Sequence, residues 1–511
     1  MPSLSQRSAG VLLHVTSLPG PHGCGDAGPV ARAFVDSLAR ARVGWWQMLP
    51  THPVGRGPGF SPYSSPSAFA VSPLVVSPDD LVARGLVGKR DIRAAAGLGG
   101  GKVDYPGAIE HREGILRRAV AAFVSGGGKR SREFAAFEKT EGDWLGDWAL
   151  FAAARRACGA KQWHLWPDGL AKRRARALAE FTREHAAEVE YHTVAQFLAE
   201  QQWRELREYA AASGVGLIGD VPIFVSHDSA DVWAHPHLFK LDAHGMPKVV
   251  TGVPPDIFSK LGQKWNHPHY AWARHAATGF SWFTRRFERV LTGFDVVRID
   301  HFLGFNRAWE IPGTAKDARK GQWAPTPGRE LFTALRKRTK GRVGSIIAED
   351  LGDATAGATK LREDFKFPGM RVLQFGFGGG TEHLPFTYPP SCVAYTGTHD
   401  NETCVQWAQR VSKPKGGERD ALRALGVSGE GVAWRMVGMV ANSAANTAVF
   451  PVQDLLELGG EARMNVPGTA EGNWRWRMAA GGGGFGGGLG KDVEWRLRKL
   501  LEVTKRAGET V

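Results

Sequence analysis

Eight short apolar runs, each ending in polar or charged residues, punctuate the chain. They are GVLLHVTSLPG (10–20), GWWQMLPTHP (44–53), GVGLIGDVPIF (214–224), FDVVRIDHF (294–302), GSIIAEDLG (344–352), RVLQFGF (371–377), CVAYTGTHDN (392–401) and TAVFPVQDLLEL (447–458). Their length and β-branched content predict buried strands. Helix-like stretches lie between several of them, such as TPGRELFTALRKRTKG (326–341), with Pro near its start and Gly at its end. Alternating strand and helix predicts a parallel sheet, and eight such units predict an α/β fold of the (β/α)8 TIM-barrel type.

Such a barrel takes about 250 residues, whereas this chain has 511. The excess is expected as insertions into one catalytic barrel spanning 1–511. The largest gap runs from 54 to 213, between the second and third strands. It opens with RGPGFSPYSSPSAF (56–69) and continues as mainly helical sequence. In it Val194, Phe197, Leu198, Leu206, Tyr209 and Ala210 keep a helical stripe that Gly214 is placed to end. Residues 54–213 are therefore expected to form one or two helical subdomains, and 225–290 a further insertion after the third strand. Three glycine tracts, at 97–102, 125–131 and 481–491, follow no strand; the first two do not fit GxxxxGK, and the third contains GxGxxG only because nearly all of it is glycine. They read as surface loops.

The polar residues inside the runs carry the candidate chemistry. Arg298 and Asp300 lie two apart on a strand and so point to one side. Burying charge costs several kcal/mol unless it is paired, and a guanidinium beside a carboxylate favours its ionised form. Taken alone, this segment fits a structural ion pair as well as a catalytic one. Two further strands add to it: Glu349 ends IIAEDLG, and His399 and Asp400 end VAYTGTHDN. Barrels place catalytic groups at the C-terminal ends of strands, so Asp300, Glu349 and Asp400 are expected to meet there, with Asp220 of LIGDVPIF a fourth candidate. Glycosidic chemistry needs two carboxyl groups in different environments. Asp300 suits the ionised role, attacking an anomeric carbon, and Glu349 the proton-bearing one. Asp400 and His399 could grip sugar hydroxyls more tightly in the transition state.

Charge and composition narrow the alternatives. The 65 basic and 51 acidic residues leave a net charge of +14, which raises nucleic-acid binding as a competing function. The excess is diffuse, however, and its densest clusters, 172–185 and 336–340, resemble solvated helix faces. No nucleic-acid partner is expected. Cys24, Cys158, Cys392 and Cys404 have no CxxC spacing, so neither a zinc site nor a disulfide framework is expected. The N-terminus lacks an apolar signal core and no run approaches membrane-spanning length. A cytoplasmic protein without membrane contact follows. Acid/base and nucleophilic carboxylates suffice for acetal exchange, so neither metal nor organic cofactor is expected.

RIDHF, IIAEDLG and TGTHDNET resemble the catalytic segments of the α-amylase clan. SPYSSPSAFA, GDVPIFVSHDSADVWAHPHLF, GVPPDIFSKLGQKWNHPHY and RMNVPGTAEGNWRWRM resemble one branch of it, the 4-α-glucanotransferases or amylomaltases. The resemblance runs from residue 10 to 478. It implies retaining transfer of α-1,4-glucan segments from maltooligosaccharides, starch or glycogen to an acceptor glucan or glucose, through a covalent glycosyl-aspartate, by a monomer or homodimer. By position, Asp300 is then the nucleophile, Glu349 the acid/base and Asp400 the transition-state stabiliser. Arg298 supports the nucleophile, while Asp220, His399, Tyr63 and Ser61 line the sugar site. The resemblance also implies a loop over the acceptor side, with Asp256 and Trp265 reaching the glucan, and a substrate contact at Asn465. Asn266 stands where the family pattern has Gly, and the 481–490 tract replaces an ordinary helical end. A hydrolase sharing the same first chemical step, and a glucan-binding protein on an inactive barrel, are the competing readings.

Overall fold

The apolar runs pair with one another into a single parallel sheet. Twelve strands occur among the described residues: β1 (Ser8–Leu12), β2 (Trp45–Gln47), β3 (Gly216–Pro222), β4 (Val249–Val253), β5 (Gln263–Pro268), β6 (Val296–Asp300), β7 (Arg307–Pro312), β8 (Gln322–Pro325), β9 (Ile346–Ala348), β10 (Gly369–Val372), β11 (Cys392–Tyr395) and β12 (Thr447–Pro451). The computed structural model describes residues 2–55, 57–95, 97–255, 259–340, 346–352, 355–413, 417–424, 426–427, 429–479 and 486–508.

Eight strands form one sheet in the order β10-β11-β12-β1-β2-β3-β6-β9, parallel at every pairing. Each falls within, or overlaps, one of the eight runs picked out in the sequence. The two end strands approach each other: Ala348 N–H donates to Pro368 O at 2.9 Å, and Met370 N–H donates to the Asp350 carboxylate at 2.8 Å. The sheet thus closes on itself as a nearly complete (β/α)8 barrel, the fold expected from the sequence. Its strands are buried along their length, as parallel strands between helices and a packed interior must be. Gly216 shows how tight that packing is. A Cβ there would lie 2.5 Å from the Trp45 ring of the neighbouring strand, so only glycine lets the buried indole lie across β3.

Residues 54–213 contain the long helices Tyr105–Ser125, Arg132–Ala157 and Ala186–Ala212. The last of these buries Val194, Phe197, Leu198, Leu206 and Ala210 of the stripe read from the sequence, while Tyr209 is exposed. The sequence reading missed a second sheet. Strands β4 and β5, from the segment after β3, pair antiparallel with β7 and β8, from the segment after β6, in the order β5-β4-β7-β8. These short, mixed-polarity strands have no clear alternation of their own. The pairing that joins the two segments, β4 with β7, spans more than 40 residues of intervening chain, a long-range match that no local pattern announces.

Candidate active site

Register sets the centre of the site. Asp220 of β3 is paired with Arg298 of β6, and Pro222 with Asp300, so the two acidic side chains flank one guanidinium. Arg298 Nη1 donates to both Asp220 oxygens at 2.9 and 2.7 Å. Its Nη2 donates to Asp300 Oδ1 at 2.9 Å, and its Nε faces the Met370 thioether at 3.4 Å. Arg298 and Asp220 are only 3% and 2% exposed. Burial works against the Arg298 charge, but Asp220 and Asp300 outweigh it and hold the group well above its ordinary value. Burial also lifts Asp220 to about 7, against the pull of Arg298 and the Tyr63 hydroxyl. With three donor contacts on its two oxygens, the ionised form is the one this geometry fits.

Glu349 sits on the next strand. Ile299 of β6 pairs with Ala348 of β9, and Glu349 N–H donates to Ile299 O at 3.0 Å, extending the ladder by one residue. Asp300 and Glu349 therefore follow a register pair on adjacent strands about 4.8 Å apart. Both carboxyl groups thus leave their strands at the same level of the barrel rim. Glu349 is fixed by two backbone donors, His301 N–H to Oε2 at 2.7 Å and Leu351 N–H to Oε1 at 2.8 Å. His301 takes the left-handed conformation, φ 52°, directly after Asp300. For a residue with a Cβ this conformation costs about 1 kcal/mol, and the turn aims its N–H at Glu349. Burial raises the Glu349 carboxyl to about 7, Arg298 opposing and Asp300 reinforcing. One carboxyl is thus bound to a cation, while burial favours the protonated form of its neighbour.

The third acidic group arrives on the loop after β11. Asn465 Nδ2 donates to Asp400 Oδ1 at 2.6 Å, and His399 Nε2 lies 3.4 Å from Asp400 Oδ2. The Tyr63 hydroxyl gives its hydrogen to Asp220 Oδ2 at 2.8 Å, so its oxygen accepts from His399 Nε2–H at 2.9 Å. Burial holds His399 below its ordinary value, which suits a neutral ring donating through Nε2. A chain of contacts thus runs from Arg298 through Asp220, Tyr63 and His399 to Asp400, linking three barrel strands and the inserted segment.

Most sequence-predicted site residues meet here: Asp300, Glu349, Asp400, Arg298, Asp220, His399, Tyr63 and Asn465. Ser61 acts one step back, its Oγ accepting from Tyr63 N–H at 3.2 Å and shaping the turn that presents the phenol. Trp265 on β5 packs edge-on against the His301 ring, centroids 4.9 Å apart. Asn266 beside it has φ 63°, a left-handed position that explains why glycine fits there and why asparagine is the usual substitute. Asp256 lies outside the described residues. Two residues escaped the sequence reading. Trp474 stands 5.6 Å from the Tyr63 ring and 5.9 Å from that of His399. His301 joins its backbone donation to Glu349 with a ring that meets those of Trp265 and Phe224. Trp474 lay inside a recognised motif, EGNWRWRM, but nothing local separates it from its neighbour Trp476.

An arginine-held carboxylate beside a buried carboxyl of raised pKa at the C-terminal mouth of a (β/α)8 barrel fits a class: enzymes that act on glycosidic acetals. A family model described as 4-alpha-glucanotransferase matches residues 13–481. The chain is 43% identical over 510 residues to the 4-alpha-glucanotransferase of Thermus thermophilus, covering 98% of this chain and 99% of that one. It is likewise 43% identical over 480 residues to that of Synechocystis, covering 93% and 94%. Amylomaltase from Streptococcus agalactiae, solved in complex with acarbose, superposes with a TM-score of 0.91 at 35% identity, covering 98% of this chain and 100% of that one. The chain belongs to the 4-alpha-glucanotransferase family, enzymes that transfer α-1,4-glucan segments. No helix among the described residues is long and apolar enough to cross a membrane.

Proposed function

We propose that Asp300, Glu349 and Asp400 carry this transfer through a covalent glycosyl-aspartate. An Asp300 oxygen attacks the anomeric carbon of the donor glucan. The Glu349 proton passes to the glycosidic oxygen as the carbon–oxygen bond breaks, freeing the trimmed chain. Glu349, now ionised, takes the proton from an acceptor hydroxyl, whose oxygen attacks the same carbon and releases the Asp300 carboxylate. Arg298 holds the nucleophile's Oδ1 by a hydrogen bond and so aims it. Asp400, braced by Asn465 and His399, stabilises the flattened, positively charged ring of the transition state.

Tyr63, Asp220 and His399 line the site around the bound ring, Ser61 supports Tyr63, and Trp265 and Asp256 serve the acceptor side. Donors are maltooligosaccharides, starch or glycogen chains, and acceptors are glucans or glucose. The four cysteines stand as free thiols, which supports a reducing, cytoplasmic setting. The observation that carries the reading is the division of labour at the strand ends: Asp300 on Arg298, and Glu349 lifted to about 7 on the adjacent strand.

Incubation with maltotriose tests it, with products resolved by chromatography. We expect glucose together with a ladder of longer maltooligosaccharides. Glucose and maltose without any lengthening would replace transfer with hydrolysis, since the two reactions differ only in whether a sugar or water reaches the intermediate.

A further inference from the structure

Behind the His399–Asp400 loop lies a buried carboxylate to which the proposed chemistry gives no part. Asp454 follows β12 in the short helix Val452–Leu455 and is 1% exposed. Among the described residues no Lys, Arg or His lies within ion-pair distance of it. A carboxylate in that position costs several kcal/mol unless hydrogen bonds offset it. Its two oxygens have separate partners. Oδ2 accepts from Thr396 Oγ1–H at 2.6 Å, and Oδ1 accepts from Cys404 N–H at 2.8 Å. Thr396 is the first residue after β11, and Cys404 is the first of the helix Cys404–Val411. Between these two anchor points run the residues that include His399 and Asp400.

We infer that Asp454 is a positioning residue for glucan transfer: it clamps both ends of the 396–404 loop and so fixes where Asp400 and His399 stand relative to Asp300. The inference rests on the reading that this loop serves the transition state. The clamp fits the local physics. Cys404 N–H is one of the donors a helix start leaves without an intrahelical partner, and the helix dipole there favours a negative charge. Thr396 is fully buried, so its hydroxyl needs an acceptor. The loop's interior carries its own braces. Asn401 Oδ1 accepts from both Thr398 N–H and Thr398 Oγ1–H at 2.9 Å, and Gln374 Nε2 donates to Glu402 O at 2.8 Å. These braces hold the loop's shape but do not tie its two ends to a common point. Asp454 ties them from the helix that follows a different barrel strand, β12. Apolar packing could fill the same volume without fixing either end in direction.

The test compares Asp454→Leu, Asp454→Asn and Thr396→Val by maltotriose disproportionation, with the folded fraction taken from tryptophan fluorescence. Asparagine keeps an acceptor for Cys404 N–H and a polar partner for Thr396, whereas leucine keeps neither. A misplacement of this kind costs about 100-fold in rate. We expect kcat per folded molecule to fall about 100-fold in Asp454→Leu, with KM changed less than about 3-fold. In Asp454→Asn it should return to within about 5-fold of the parent. Thr396→Val should fall between the two and add little on top of Asp454→Leu. Glu494→Ala removes a carboxylate bonded to Ser37 and Arg40 outside the site. It should lower the melting temperature while leaving kcat per folded molecule unchanged.

Equal kcat per folded molecule in parent and Asp454→Leu would overturn the inference, as would equal losses in the Leu and Asn variants. If Asp454→Leu does not fold, Thr396→Val decides: unchanged kcat there overturns the inference. Asp400→Asn separates this from the underlying reading. An active Asp400→Asn removes the role of the loop itself, whereas an inactive Asp400→Asn with an active Asp454→Leu removes only the clamp.

Discussion

Replacing Glu349 with glutamine separates the acid role proposed for it from the electrostatic cost of burying it. The folded carboxyl is raised from its ordinary value of 4.5 to about 7. The native state therefore binds a proton that the unfolded chain has released, and stability falls as pH rises from about 4.5 to about 7, with the full cost present above that. The gap of about 2.5, at 1.36 kcal/mol each, corresponds to about 3 kcal/mol. Glutamine removes that cost but offers one acceptor where the carboxylate serves both His301 N–H and Leu351 N–H, a loss of about 1 kcal/mol.

Glu349→Gln should thus be more stable than the parent by about 2 kcal/mol at pH 8.5 and less stable by about 1 kcal/mol at pH 4.5. The curves should cross between these limits, read as denaturation midpoints across pH. Transfer from maltotriose should fall by about 10²- to 10⁴-fold, the usual worth of a general acid. A maltosyl donor with a leaving group that needs no proton should still label Asp300. Stability curves that stay parallel across this range would refute the assigned environment, and wild-type turnover would refute the role.

Asp300→Asn should keep the fold, since Arg298 retains Asp220, but form no covalent glycosyl adduct by intact-protein mass spectrometry. An adduct at its normal level would move the nucleophile elsewhere. Arg298→Met leaves Asp220 and Asp300 without their cation and should cost about 3–5 kcal/mol, seen as a lower denaturation midpoint above pH 7. The deficit should shrink in acid, where Asp220 takes up a proton, and a deficit independent of pH would mean lost packing instead. Trp265→Ala should raise the KM for glucose as acceptor and increase the share of donor lost to water, measured as reducing ends per transfer. An unchanged product ratio would exclude Trp265 from the acceptor side.

The two sheets differ in how much of them the chain displays locally. The barrel strands are buried on both faces, so each reads as a continuous apolar run; that is why β3, β6 and β11 were recognisable and why Asp220, Arg298 and Asp300 stood out inside them. The antiparallel sheet β5-β4-β7-β8 has no such signature, because the pairing that joins its two halves, β4 with β7, is between segments far apart in the sequence. Asn266 was visible only as a departure from a family pattern, and its φ of 63° supplies the reason.

By itself the sequence determined which carboxylates end barrel strands, because strand periodicity and apolar flanks are local properties of the chain. Only the tertiary structure decided what surrounds each of them. Strand register gave Arg298 to both Asp220 and Asp300, a left-handed turn at His301 aimed a backbone donor at Glu349, and burial lifted that carboxyl. Desolvation and shared hydrogen bonds exist only once distant segments meet, so no reading along the chain contains them.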